Sequence, residues 1–162
     1  MKQAKRVVEN EQNKTKILVV DDHPIVRDGL TELLNHETAF VVSARAGNAA
    51  EATMAVKKQR IDLALIDMLL KNATGIQVTK KIKVLRPNLI VLIFSMSDKL
   101  EYVKQALHAG ARGYILKDEL SEKIIVAIKH VLKGNVYLSK RLTKKLPKYE
   151  LNKLLTDNIK HS

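Results

Sequence analysis

Short apolar runs and amphipathic stretches alternate through the middle of this chain. The runs at 17–20, 40–44, 63–66, 89–94 and 113–116 are rich in Val, Ile and Leu and do not alternate with polar residues. That is the pattern of strands buried on both faces of a parallel sheet. The intervening stretches 23–34, 48–59, 75–85, 98–109 and 120–133 carry apolar residues at helical spacing. Pro24 suits a first helical turn, with Ile25, Val26, Leu30, Leu33 and Leu34 expected on one side. Asn48 and Asp98 are cap residues; Arg86-Pro87, Gly110 and Gly134 mark helix ends. Five strands alternating with five helices predict an α/β fold, a doubly wound five-stranded parallel sheet, because parallel neighbours need crossover helices.

This domain is expected over 16–138, behind a basic N-terminal tail at 1–15. A basic linker and amphipathic helical tail is expected at 139–162. There Pro147 interrupts the chain and Leu151, Leu154, Leu155 and Ile159 then recur at helical spacing, too short a piece for a core of its own. Docking on the domain or on a partner and a plain linker are equally open for it. No internal repeat or low-complexity segment interrupts the domain.

Composition narrows the classes. The chain has no cysteine, which excludes a disulfide framework, a thiolate metal site and a cysteine nucleophile and fits a cytoplasmic protein. The polar N-terminus offers no apolar signal segment, and 89–94, the longest apolar run, is far too short to cross a bilayer; no membrane association is expected. Of the net charge of +12, residues 1–16 hold +3 and residues 139–162 hold +5, so most of the excess sits in the two ends. Such ends can attract nucleic acid or anionic lipid, but more often serve as solvated, solubilising tails.

In a doubly wound sheet, ligands bind beyond the C-terminal strand ends. The first strand ends in Asp21-Asp22, the third in Asp67, the fourth in Ser95 and the fifth in Lys117. Crowded carboxylates need a cation, and Mg2+ suits oxygen ligands. A carboxylate can also attack phosphorus to give an aspartyl phosphate, with a metal and an ammonium stabilising the charge that develops. Singly, each residue reads equally well as a helix cap or surface charge; five together at matching positions do not.

The segments KILVVDDHPIVRDGL, LIFSMSD and ALHAGARGYILKD, with Asp67 at its strand end, resemble the receiver domains of two-component response regulators. GNVYLS narrows the resemblance to the NarL/FixJ subfamily, whose members usually carry a LuxR-type helix-turn-helix output domain. The resemblance spans nearly all of 16–139 and implies a flavodoxin-like receiver fold. It implies Asp67 as phosphoacceptor, and Mg2+ held by Asp22, Asp67 and the Leu69 carbonyl, with Asp21 assisting. It further implies Ser95 and Lys117 on the phosphoryl oxygens, and Tyr114 as a switch aromatic responding to Ser95. The implied partners are a histidine kinase or phosphotransfer protein, with a homodimer open, and DNA through an absent output domain or the basic tails. The Met-Pro common after the phosphoacceptor is here Leu70-Lys71, and Asp118 stands where a proline often follows Lys117.

Only 24 residues follow Leu138 (162 − 138), too few for a helix-turn-helix domain, so a stand-alone receiver and a fragment of a DNA-binding regulator both remain open. The histidines at 23, 36, 108, 130 and 161 lack metal-ligand spacing and are expected to be structural or exposed. The wide apolar stripe of 120–133 is either deeply buried or a dimer or partner surface. A haloacid-dehalogenase-type phosphatase would want Asp-x-Asp after the first strand, where this chain has Asp21-Asp22-His23. A nucleotide-binding enzyme is weaker still, for want of a glycine-rich loop there.

Overall fold

The computed structural model describes residues 10–119 and 121–160. Continuous apolar sequence becomes sheet interior: β1 (Thr15–Val20), β2 (Phe40–Ala46), β3 (Leu63–Asp67), β4 (Ile90–Ser95) and β5 (Gly113–Leu116) are joined by β6 (Tyr137–Leu138). All pairs are parallel, in the order β2-β1-β3-β4-β5-β6. The helices are α1 (Pro24–Asn35), α2 (Ala49–Lys58), α3 (Gly75–Leu85), α4 (Leu100–His108), α5 (Ser121–Leu132), α6 (Lys140–Lys145) and α7 (Lys148–Lys160).

Alternate strand residues feed opposite cores, as strand geometry requires. Ile17, Val19, Leu63, Leu65, Leu92, Phe94 and Ile115 pack with α1 and α5. Leu18, Val20, Ala64, Ile66, Val91, Ile93, Tyr114 and Leu116 pack against α2, α3 and α4 on the other face. The chain order reverses between β1 and β3, so a crevice opens at their C-terminal ends.

The sheet has six strands where five were expected. Tyr137–Leu138 is too short to carry a pattern and is defined by pairing: Gly113 faces Tyr137 and Tyr114 faces Leu138. It covers an edge that β5 would otherwise expose. Gly113 permits the approach, since a Cβ there would lie 2.5 Å from the Tyr137 carbonyl oxygen.

Two helix expectations change. Ile25 is 86% exposed, whereas Leu30 and Leu34 are buried; nine residues are two and a half turns, which sets Ile25 opposite Leu34. Asp98 does not cap α4. The cap is Lys99, and the Asp98 carboxylate is taken by Lys145 and Arg141. Asn48 does cap α2, accepting from the Glu51 amide. Thr74 and Gln77 form a reciprocal capping box on α3.

The segment after β6 packs on the domain. Leu142, Leu146 and Leu154 are buried in the core shared with α3 and α4, and Leu151 and Leu155 lie against it. The side chain of Ile159 and all of Leu120, His161 and the first nine residues lie outside the described residues. In α5, Ile124, Ala127, Ile128 and Val131 are buried while Val126 stays half exposed. No helix among the described residues is long and apolar enough to cross a membrane.

Candidate functional site

The strand ends meet in one acidic crevice. β1 delivers Asp21 and Asp22, and β3 delivers Asp67; the Asp21 and Asp67 carboxylates are almost wholly shielded from solvent. Carboxylate oxygens of Asp21, Asp22 and Asp67 and a ring nitrogen of His23 all lie within 4.8 Å of one another. The crevice floor is held close by Gly75: its amide donates to the Met68 carbonyl at 2.7 Å, and a Cβ there would sit 2.5 Å from the Asp67 carbonyl oxygen. The start of α3 thus rests directly on the end of β3.

Lys117 reaches in from the end of β5. Its ammonium lies 2.9 Å from Asp21 Oδ2 and 3.1 Å from Asp67 Oδ1, above the Phe94 ring at 5.3 Å from the centroid. Burial raises the Asp67 carboxyl above its ordinary pKa; Lys117 opposes this and Asp21 adds to it. The Leu69 amide donates a long bond to Asp67 Oδ1, 3.4 Å. One ammonium among three carboxylates leaves the site short of positive charge.

Ser95 ends β4, buried, its hydroxyl accepting from the Ser97 amide at 3.0 Å. Its carbonyl accepts from the Lys117 amide at 2.8 Å, which ties the ends of β4 and β5 together. Tyr114 is fully buried and donates its hydroxyl to the Ser97 carbonyl at 2.8 Å; burial pushes its phenol pKa up. Leu69 follows Asp67 by two residues, its side chain exposed. Asp21, Asp22, Asp67 and Lys117 are therefore brought together. Ser95, at the end of β4, and Tyr114, in β5, are linked through Ser97, whose amide donates to Ser95 and whose carbonyl accepts from Tyr114.

Sequence reasoning passed over His23 and Arg27. The His23 Nδ1 stands 3.2 Å from Asp21 Oδ1 and 2.9 Å from Asp22 Oδ1, although its ring is largely exposed. Arg27 donates to the Asp21 carbonyl. A lone histidine has no ligand spacing to read; its place directly after Asp21-Asp22, at the cap of α1, was the available signal.

The donor set suits a hard cation. Asp22 Oδ1 is buried and, despite its nearness to His23, makes no well-aligned hydrogen bond; such an atom costs free energy until something pairs with it. Hard divalent ions take carboxylate oxygens of this kind.

The family profile described as the response regulator receiver domain matches residues 17–129. The oxygen regulatory protein NreC of Staphylococcus epidermidis RP62A is 34% identical over 148 residues, covering 91% of this chain and 68% of that protein. NreC of Staphylococcus aureus NCTC 8325 is 36% identical over 132 residues, 81% of this chain and 61% of that protein. The chain thus spans roughly two thirds of the length of these curated relatives. Among solved structures, a LuxR-family two-component response regulator from Aurantimonas sp. SI85-9A1 superposes with a TM-score of 0.81 at 29% identity, covering 85% of this chain and 99% of that one. The signal receiver domain of NarL from Mycobacterium tuberculosis gives 0.71 at 32% identity, with 75% and 98% covered. A profile match over most of the chain, relatives above 30% identity and the strand-end acids agree: the chain belongs to the response regulator receiver domain family, among its NarL/LuxR-type members.

Proposed function

We propose that the chain is a phosphorylation-activated switch of a cytoplasmic two-component phosphorelay, taking a phosphoryl group on Asp67 from a histidine kinase or phosphotransfer protein. The observation that carries this reading is the Asp67 carboxylate itself, buried at a strand end, 3.1 Å from the Lys117 ammonium and clustered with two further acids. An Asp67 oxygen attacks phosphorus, a P–O bond forms, and the P–N bond to the donor histidine breaks. Its electron pair leaves with the imidazole, which takes up a proton.

Lys117 then turns from Asp67 to the phosphoryl oxygens and neutralises the charge they carry. The Ser95 hydroxyl donates to one of those oxygens, which draws its loop inward and shifts the Ser97 carbonyl that the already buried Tyr114 hydroxyl holds, a local charge event acting on a two-state element. Asp22, Asp67 and the Leu69 carbonyl would hold Mg2+, with Asp21, whose Oδ2 pairs with Lys117, assisting. Bound there, Mg2+ offsets repulsion among the acids and stabilises charge on the transferred group. The chain catalyses only its own phosphorylation and dephosphorylation.

A homodimer through α5, where Val126 is half exposed, is compatible with this reading. A second reading, favoured by relatives longer than this chain, makes it the receiver part of a LuxR-type DNA-binding regulator. Intact-mass spectrometry after incubation with acetyl phosphate tests the phosphoacceptor reading. One phosphate adduct should form with Mg2+ and none after chelation; a folded protein that stays unlabelled in Mg2+ sinks the reading.

A further inference from the structure

The C-terminal helices are tied to the two loops that leave the site, and the ties are polar. Arg141 on α6 lies 2.8 Å from Asp118 and 3.8 Å from Asp98, and Lys145 also holds Asp98. Asp118 follows Lys117 directly; Asp98 follows Ser95 by three residues. One guanidinium therefore spans the β4–α4 and β5–α5 loops. Hydrogen bonding to Lys145 holds the Asp98 carboxyl below its usual pKa range.

A continuous chain of hydrogen bonds runs from the site to the same segment. The Ser97 amide donates to Ser95 Oγ at 3.0 Å, and the Tyr114 hydroxyl donates to the Ser97 carbonyl at 2.8 Å. The Ser139 amide donates to the Tyr114 carbonyl at 3.1 Å, and the Leu116 amide donates to the fully buried Ser139 hydroxyl at 2.9 Å. Ser139 opens α6. Beyond it, α7 lies against α4, with Leu154 buried, Glu150 3.2 Å from Lys104 and Arg112 bonded to the Asn158 carbonyl.

We propose that residues 139–160 form an autoinhibitory strap over α4 and the β5 edge, clasped by Arg141, and that loading Asp67 releases it. The proposal rests on Asp67 being the phosphoacceptor. When Lys117 and Ser95 turn to a phosphoryl group, both loops shift and the Asp98–Asp118 span that Arg141 bridges no longer fits. The exposed ion pairs at the clasp are individually weak, whereas Leu142, Leu146 and Leu154 are buried against the domain. Release therefore means that the polar clasp opens and the strap loosens while its leucines stay seated. Coupling is reciprocal: loosening the clasp favours loading.

The test is hydrogen exchange of the full chain, read over 140–160, with and without beryllium trifluoride and Mg2+ as the phosphoryl mimic. Acetyl phosphate labelling is run on the same preparations. The mimic should speed exchange over 140–160 by about fivefold or more, within the usual range of coupling between sites. Arg141→Gln should speed it without the mimic, and Asp118→Asn, which removes the same contact from the other side, should match it. Labelled protein whose 140–160 exchange ignores the mimic, or variants that exchange like wild type, overturns the strap and leaves the receiver reading standing. Wild type that takes no label on Asp67 removes both.

Discussion

One residue separates two chemistries in this sheet. Along β1, Ile17 to Val20 are buried and apolar, and the next residue is the buried carboxylate Asp21; along β3, Ile66 is followed by Asp67; along β4, Phe94 is followed by Ser95. The interior residues have every neighbour they need. The residues one step further on do not: three acids share one nearby ammonium, and a buried Asp22 oxygen lacks a hydrogen bond. The interior is built for stability. The edge holds charge that folding alone does not satisfy, and stability lost there is the signature of a functional site.

The contrast can be broken from the interior first. Leu65→Ala, deep in the core against α1 and α5, should cost about 2–5 kcal/mol in denaturant unfolding, as cavity-forming substitutions do. A loss well below that range would mean the sheet interior is loosely packed.

At the edge, Lys117→Ala leaves Asp21 and Asp67 buried without their ammonium. It should cost about 1–3 kcal/mol, the penalty of an unpaired buried group, measured in chelator, with part regained in Mg2+. A variant whose stability is the same with and without Mg2+ would show that the acids do not bind the ion.

The smallest effect has the opposite sign. Asp67 has a raised pKa in the folded state, so the native protein holds its proton more tightly than the unfolded chain, and the charged form destabilises the fold. Asp67→Asn should therefore unfold at a higher temperature than wild type at neutral pH in chelator. The gap should be full above the folded pKa of Asp67 and close as pH falls through it towards the unfolded carboxylate value. A variant less stable than wild type at neutral pH would contradict the burial cost.

Much of this was legible in the chain. A sheet buried on both faces writes itself as uninterrupted Val, Ile and Leu, and the residue ending each run then marks the crevice, which is how Asp21, Asp67, Ser95 and Lys117 could be picked out. What stayed hidden depended on contacts distant in sequence. Two residues of β6 hold no period, and their pairing with Gly113 is visible only in space. The apolar pattern of α1 does not say which way Ile25 turns. Asp98 reads as a cap until Lys145, 47 residues away, is seen to claim it. The leucines after Pro147 spelled a helix but not the face of α4 on which Leu154 is buried.

The most direct measurement of the central claim is the position of the phosphate. Protein labelled with acetyl phosphate in Mg2+ is reduced with borohydride, which converts an aspartyl phosphate to homoserine, and the peptides are mapped by mass spectrometry. Homoserine at position 67 alone, absent from Asp67→Asn, is the expected result. Homoserine at Asp21 or Asp22 instead, or undiminished labelling of Asp67→Asn, would contradict it.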